Sequence, residues 1–417
     1  MCENIDISYH LTVLLQLLPL DCILCYNKDM AYEIYLKKGE ERRIINGHSW
    51  VYANEVGKII GKDKNGSLAT VYTFDGKYVG KGFINHASKI LVRIFIRNER
   101  EDVDNVIAEH IHTASAMRRE LGYDNSYRAV FAEADDLPAL IVDKYGDYLS
   151  VQILSLGMHL RKKQIVAALV DEFAPKGIYE RSDVAVRKKE GLEECTGVLY
   201  GEVPEWVEIV ENGLKMLVNI RLGQKTGYFL DQKENRMAIR RYARGNVLDC
   251  FCNSGGFSLN AATNADSVIA VDASELALDN VRRNAELNGF TNVQTVCADV
   301  FELLRDYRKQ GKTFDCVILD PPAFTKTASE TQDALKGYLD INTLGLKLVK
   351  NGGYLVTCSC SHFVSQPMFE KMLSEASRRS GRRVQCVEVR SQAPDHPTLP
   401  CSDETHYLKC FVLKVTD

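Results

Sequence analysis

From residue 246 to the C-terminus, short apolar runs alternate with amphipathic stretches, and that alternation limits the fold more than any other feature of this chain. The runs are "NVLDCFC" (246–252), "SVIAVD" (267–272), "VQTVCAD" (293–299), "FDCVILD" (314–320) and "GGYLVTCSC" (352–360). Helical patterns lie near 256–264, 274–288, 333–349 and 366–379, with a short one after 299. Such alternation implies a doubly wound, mostly parallel α/β sheet. The last two runs, "RVQCVEVR" and "HYLKCFVLKV", have no clear helix between them, which predicts an antiparallel hairpin at one edge.

The chain of 417 residues is too long for one ordinary core, and the preceding sequence has a different texture. Residues 31–97 hold short alternating runs broken by glycines, "AYEIYL", "SLATVYTF", "KYVGKGFI" and "KILVRIFI". They predict a small β-barrel. Residues 101–121 carry an amphipathic helical stripe; "LPALIVDKYG" and "DYLSVQIL" read as paired strands, followed by a helix near 160–173 and strands over 176–200. This middle segment predicts a small α+β domain. "WVEIVENGLKMLVNI" reads as a hairpin turning at Asn212-Gly213. The expected organisation is an extension outside the fold (1–29), a barrel (30–100), a middle α+β domain (101–195) and the α/β domain (196–417).

The apolar run in residues 1–29 is interrupted by Pro19 and Asp21, lacks a small-residue cleavage site and is too short to span a bilayer. No membrane association is expected. The thirteen cysteines are odd in number and scattered. They suit a reducing cytoplasm better than a disulfide framework, and with no zinc-type spacing no metal is expected. Net charge is −4, which argues against a uniformly basic nucleic-acid binder. Residues 30–100 nevertheless carry 13 Lys/Arg against 7 Asp/Glu. A basic module joined to an acidic remainder is what a separate RNA-docking domain looks like. Its candidate contacts are Lys37, Lys38, Arg42 and Arg43, with Trp50 read as core.

In an open α/β sheet, ligands sit at the carboxyl ends of the strands. The first end, "VLDCFCNSGGFS", offers Asp249, Ser254 and a tight turn at Gly255-Gly256 that permits close backbone approach. It is not G-x-G-x-x-G, so a dinucleotide is not specifically indicated. The second ends in Asp272-Ala273, an acid able to accept from both ribose hydroxyls, and the third in Asp299-Val300, placed to meet an adenine amino group. Each acid could instead cap a helix; three at successive strand ends fit S-adenosylmethionine. The fourth ends in Asp320-Pro321-Pro322-Ala323-Phe324, a stiff acidic loop suited to holding a flat base beside a methyl donor. Ala323 separates this loop from the Asp-Pro-Pro-aromatic pattern of amino-group methyltransferases.

With these motifs the chain resembles the ribosomal RNA large subunit methyltransferase I family from about Met30 onward. The resemblance rests on "GHSWVY" (47–52), "EADDLPALIVDKYG" (133–146), "GQKTGYFLDQKENR" (223–236), "DCFCNSGGFS" (249–258), "DPPAF" (320–324), "GYLDIN" (337–342), "SCS" (359–361) and "DHP" (395–397). It implies a PUA RNA-binding barrel, a middle domain and a Rossmann-like methyltransferase domain. The implied activity is methylation of cytosine C5 in 23S rRNA by S-adenosylmethionine. It places Gln224, Lys225, Gly227 and Phe229 against the cofactor and His396 near the substrate, and implies 23S rRNA or a large-subunit assembly intermediate as partner. A homodimer is left open.

Two other functions compete. An N2-guanine RNA methyltransferase would share the Asp-Pro-Pro loop but needs no thiol, because an exocyclic amine is already a nucleophile. A non-catalytic RNA-binding protein with a vestigial fold would not need the glycine turn, the acids and the cysteines together. Cytosine C5 requires a thiolate to add at C6, and two cysteines stand after the fifth run. Cys358 and Cys360 share a face if the strand continues through both. Cys360, further past "YLV" and matching the family's Ser-Cys-Ser, is the expected nucleophile, with Asp320 against the base. Cys358, within Thr357-Cys358-Ser359, matches the Thr-Cys-Ser of other RNA cytosine methyltransferases and stays the alternative.

Overall fold

The computed structural model describes residues 32–61, 64–99, 105–325 and 327–417. The extension 1–29 lies outside them. The N-terminal barrel contains β1 (Tyr32–Leu36), α1 (Glu41–Ile45), β2 (Trp50–Tyr52), β3 (Val56–Ile60), β4 (Leu68–Tyr72), β5 (Tyr78–Ile84) and β6 (Ile90–Ile96). They form one sheet in the order β2-β6-β5-β4-β1-β3. The alternation in "YEIYL" puts Tyr32, Ile34 and Leu36 in its core. The sequence reading missed β2 and β3: β2 is only three residues long, and β3 buries no side chain, so neither carries a strong periodic signal.

The middle domain has α2 (Val106–Glu120), β7 (Ser126–Phe131), β8 (Leu140–Tyr145), β9 (Tyr148–Ile153), α3 (Leu156–Leu160), α4 (Lys162–Phe173), β10 (Gly177–Ser182) and β11 (Cys195–Gly201). Its sheet order is β11-β10-β9-β8-β7. Because β11 pairs antiparallel along β10 from Cys195 to Gly201, those residues belong to this sheet and not to the α/β domain that was expected to begin at 196. Barrel and middle domain also share a core: Phe83, Phe95 and Ile96 pack in the same cluster as Ile107, Val130 and Leu149. The hairpin β12 (Val207–Glu211) and β13 (Leu214–Val218) packs its Ile209 and Met216 with Tyr145 of the middle domain and Leu259 of the next.

The third domain runs through α5 (Lys233–Ile239), β14 (Asn246–Cys250), α6 (Gly256–Ala262), β15 (Ser267–Asp272), α7 (Glu275–Leu287), β16 (Val293–Cys297), α8 (Val300–Lys309), β17 (Phe314–Leu319), α9 (Thr331–Leu348), β18 (Val349–Ser359), α10 (Gln366–Ser380), β19 (Arg383–Arg390) and β20 (Lys409–Thr416). The sheet order is β16-β15-β14-β17-β18-β20-β19, with β20 antiparallel to both neighbours. The expected edge hairpin is thus present, but its second strand inserts inward beside β18, joined by a long loop. Strand side chains alternate between two cores. Leu248, Leu319 and Leu355 meet α8–α10, while Val247, Ile318, Val356 and Cys358 meet α5 and α6. Strand order reverses between β14 and β17, and a cleft at that point is where such sheets bind ligands.

Candidate active site

A cavity of about 330 Å³ opens at this reversal. Its walls come from the carboxyl ends of β14, β15 and β17, the loop after β18, and the 224–236 segment, with Leu408 closing in from just before β20.

The turn after β14 is tightly folded. Phe251 (φ 62°) and Asn253 (φ 49°) take left-handed backbone conformations, uncommon without glycine, and Gly255 (φ 87°) begins α6. The bend aims the Asn253 N–H at Asp272 Oδ2 (3.0 Å), while the Ser274 N–H donates to Oδ1 (2.9 Å). Ser274, and not Asp272, caps α7. A carboxylate has about four acceptor positions, so Asp272 keeps capacity for two donors from the cavity, as a ribose diol requires. Asp299 does cap α8, accepting from the Glu302 N–H at 3.0 Å, yet it also lines the cavity beside Ala273, Val300 and Phe251.

Three expected cofactor residues do not reach the wall. Asp249 is fully buried and accepts from Ser258 Oγ at 2.5 Å; burial, aided by Asp320 and Asp272 and opposed by the Ser258 bond, pushes it up to about 7. It is a buried support, because the alternation of β14 turns it inward. Gly227 and Gly255 are not among the lining residues. Gly256 does line the cavity with Ser254, but for a reason other than ligand approach. A Cβ there would meet Arg236 Cδ and Tyr228 Oη at 2.7 Å each, so the glycine lets the 228–236 segment pack against the turn.

That segment supplies what the strand ends lack. Gln224, Lys225 and Phe229 line the cavity, together with Tyr228, Asp231, Gln232 and Arg236. Arg236 is locked by two 2.6 Å bonds to Glu211. Asp231 is buried; its Oδ2 accepts from Tyr407 Oη (2.6 Å) and Lys225 Nζ (3.2 Å), while Oδ1 has no partner. Burial opposes its charge, but Lys225, His396, the Tyr407 hydroxyl and Arg128 hold its carboxyl well below the usual carboxylate range. The unpartnered Oδ1 is itself buried, so this ionised acid gives the cavity wall a fixed negative charge, which suits a cationic ligand. Asp320 accepts from Gln232 Nε2 at 3.0 Å. Burial and the Asp231 charge push it up to about 7, against Arg236, the Gln232 bond and Lys225.

The two cysteines separate. β18 ends at Ser359, so the period of two does not carry on to Cys360. Cys358 lies opposite Cys410 on β20, fully buried among Val356, Cys316 and Val412. Cys360 lines the cavity with Asp320, Pro321 and Pro322. Its thiol is pushed up to about 11, by burial first and by Asp320 and Asp231, with Lys225 and Lys409 opposing.

Two expected substrate contacts lie off the cavity. Phe324 packs on Tyr338 (centroids 4.6 Å apart) and Phe301 (6.1 Å). His396 is buried, bonded through Nδ1 to Asp395 Oδ1 at 2.8 Å and tilted against Phe131. On the barrel, Lys38 and Arg42 are exposed and Lys37 Nζ donates to the Asn54 carbonyl at 2.7 Å. Arg43 is occupied by Glu55 (2.8 Å), the Trp50 carbonyl (2.9 Å) and His48. Trp50 is half-buried and donates to Glu133 at 2.8 Å. Of the residues reached only through folding, Tyr407, Leu408 and Lys409 carried no local sequence signal, whereas Phe251 was readable as an aromatic directly after a strand.

Sequences of known proteins match this chain along nearly its whole length. The pattern of the S-adenosylmethionine-dependent methyltransferase family covers residues 179–414, and that of the PUA-like domain covers 34–97. "Ribosomal RNA large subunit methyltransferase I" of Aeromonas hydrophila is 43% identical over 395 residues, covering 92% of this chain and all of the relative. The protein of the same name from Vibrio cholerae is 42% identical over 397 residues, covering 93% and 100%. The chain belongs to the ribosomal RNA large subunit methyltransferase I family. Its cofactor is S-adenosylmethionine, which the remaining acceptor capacity of Asp272 and the negative charge of Asp231 suit. Among solved structures, a Streptococcus mutans protein described as a SAM-dependent methyltransferase superposes with a TM-score of 0.77 at 21% identity, covering 92% of this chain and 100% of that one. SMU.776, complexed with SAH, gives 0.79 at 20% identity with the same coverage. At that identity the two support the fold alone. Among the described residues, no helix is long and apolar enough to cross a membrane.

Proposed function

We propose that this protein methylates C5 of a cytosine in 23S rRNA, presented on the free RNA or on an assembling large subunit, through a covalent adduct with Cys360. The observation that carries the reading is the position of Cys360: a thiol on the wall of the cofactor cavity, beside Asp320 and its two prolines. Methylation of an exocyclic amine would need no thiol there.

Cytosine C5 is too weak a nucleophile to react unaided. The Cys360 sulfur bonds to C6 and the C5=C6 pair is released toward C5 and the C4–N3 system. Asp320, near half-protonated at neutral pH, donates to N3 or accepts from the 4-amino group as that charge develops. Bound S-adenosylmethionine supplies the electrophilic methyl group that C5 takes. A base then removes the C5 proton, the C5=C6 bond re-forms, and the thiolate leaves. The target base must leave its stack to reach such a recessed thiol. Pro321 and Pro322 offer a wall without N–H groups, so nothing there competes for the base's acceptors.

The barrel supplies docking. Lys37, Lys38 and Arg42 are its candidate phosphate contacts, and binding should weaken steeply with salt. Removing the whole barrel is no clean test, because Phe83, Phe95 and Ile96 belong to the middle domain's core. Glutamates at the three basic positions test it without opening that core.

The deciding experiment uses RNA carrying 5-fluorocytosine at the target, from which the C5 substituent cannot be abstracted, so the adduct persists. Cys360→Ala should abolish the trapped complex and Cys358→Ala should retain it. Trapping by both variants would refute the assignment of the thiol. Mass mapping of 23S rRNA from cells with and without the gene identifies the cytosine.

A further inference from the structure

Asp320 and Cys360 leave neighbouring strands, yet the ladder between those strands stops short of both. The last parallel pair of β17 and β18 is Leu319–Thr357; Asp320 lies one residue beyond it and Cys360 three. Both face the cavity, so their separation has to be set by something packed across the strand ends.

Tyr338 of α9 occupies that place. It is fully buried in the core that α9 shares with Leu319 and Leu355 of the two strands. Its hydroxyl is hydrogen-bonded at 2.9 Å to the hydroxyl of Ser361, the residue directly after the thiol. Its ring packs on Phe324, the last residue of the Asp320-Pro321-Pro322-Ala323-Phe324 loop, with centroids 4.6 Å apart, and Phe369 of α10 meets it edge-on at 5.4 Å. Gly337 makes room for the first of these contacts, since a Cβ there would stand 3.1 Å from Phe324 Cδ2. One side chain therefore touches both loops. Gly337 and Tyr338 open "GYLDIN" (337–342), a stretch that lines no part of the cofactor cavity.

Ser361 has other ties, but they hold its backbone. Lys409 Nζ and the Val364 N–H both donate to its carbonyl, at 2.7 and 3.1 Å. Its side chain is held by Tyr338. Burial pushes the phenol up to about 12, so at neutral pH it stays a hydroxyl and the bond persists.

We propose that Tyr338 is a positioning residue that sets the separation of Cys360 from Asp320 and its two prolines, and with it the pose in which the target base meets the thiol. This rests on the reading of Cys360 as nucleophile. Tyr338 touches neither base nor cofactor. The sulfur must reach C6 while Asp320 meets N3 or the 4-amino group of the same rigid ring, so an error in one loop relative to the other cannot be absorbed by the base. A misplacement of about 1 Å can cost about a hundredfold in rate.

The test follows single-turnover methylation of 23S rRNA from cells lacking the gene, with enzyme and S-adenosylmethionine in excess. Wild type, Tyr338→Phe, Ser361→Ala and the double variant are compared. Phenylalanine keeps the ring against Phe324 and removes only the hydroxyl. Each single variant should slow methyl transfer about tenfold. The enzyme concentration giving half the maximal rate and the calorimetric affinity for S-adenosylmethionine should not change, as for a loss confined to the transition state. The double variant should be no slower than either single one, because both remove the same bond. Phe324→Leu, which thins the other contact, should slow the same step. A wild-type rate in Tyr338→Phe or Ser361→Ala would reduce the bond to core packing and overturn the proposal, as would losses that multiply in the double variant. A wild-type rate in Phe324→Leu would overturn the bridge to the Asp320 loop. If Tyr338→Phe does not fold, Ser361→Ala decides alone. An RNA-free arm separates this inference from the nucleophile reading. Iodoacetamide alkylation of Cys360 should quicken in Tyr338→Phe and Ser361→Ala as the loop loosens, and unchanged rates in both would overturn the tie. Failure of the fluorocytosine adduct in the wild type, with the alkylation changes intact, would sink the nucleophile and leave the tie standing.

Discussion

The seam between the domains and the cavity at the strand ends both bury charge, and they treat it in opposite ways. Along the seam three buried arginines grip carboxylates. Arg128 grips Asp143 with bonds of 2.7 and 2.8 Å, and its N–H donates to Asp395. Arg118 grips Asp135 at 2.6 and 2.8 Å and reaches the Asp395 carbonyl. Arg93 joins barrel to middle domain through Glu190 at 2.9 Å. On the cavity side, by contrast, the buried Oδ1 atoms of Asp231, which lines the cavity, and of Asp249, which does not, have no partner among the described residues. A buried charge left half-satisfied costs stability. The matched pairs join the domains, Arg128 and Arg118 reaching Asp395 and Arg93 reaching Glu190.

The sharpest way to break this contrast is Arg128→Ala. It strands Asp143, which is fully buried, and should lower unfolding stability by about 3–5 kcal/mol in urea titrations. A loss below about 1 kcal/mol would mean that the seam pairs are as dispensable as surface ones. Asp272→Ala, which frees the Asn253 and Ser274 N–H groups, should cost less stability than Arg128→Ala and mainly weaken S-adenosylmethionine binding, by about 1.5–3 kcal/mol in calorimetry if its carboxylate accepts from the two ribose hydroxyls. Equal losses of cofactor affinity in Asp272→Ala and Asp320→Ala would erase the division between cofactor acid and base-facing acid.

Asp320→Asn sharpens the comparison through pH. The folded-state value near 7 lies above the ordinary 3.8, so the native state holds a proton that the unfolded chain releases. Its stabilising share is full below about pH 4 and is lost as pH rises through 7. Asparagine keeps an acceptor for Gln232 and cannot ionise. It should therefore stabilise the fold by on the order of 1 kcal/mol at pH 8, have little effect at pH 4, and depress methylation; stabilisation at low pH instead would reverse the assigned shift. The smallest effect belongs to Cys358→Ala, a core truncation costing about 1 kcal/mol by denaturant midpoint, with methylation retained.

Much of this molecule was set locally. The strand and helix periods of the α/β domain, the hairpin at Asn212-Gly213 and the acids at four strand ends were all written in short windows, because a side chain's face follows from its place in a regular element. The barrel was legible except where a strand was three residues long or buried nothing. What short windows could not decide was the fate of residues beside one another at a strand end. Asp249 turns into the core and Asp320 onto the cavity wall. Cys358 closes against Cys410, while Cys360, one residue past the last rung of β18, lines the site. Such choices depend on where the ladder stops and what packs across it. The same holds for the C-terminal strand: Tyr407, Leu408 and Lys409 reach the site only because β20 inserts antiparallel beside β18, bringing residues about fifty positions away in sequence against Ser361. Strand order is a property of the whole sheet, set by the burial of both its faces, and no local pattern encodes it.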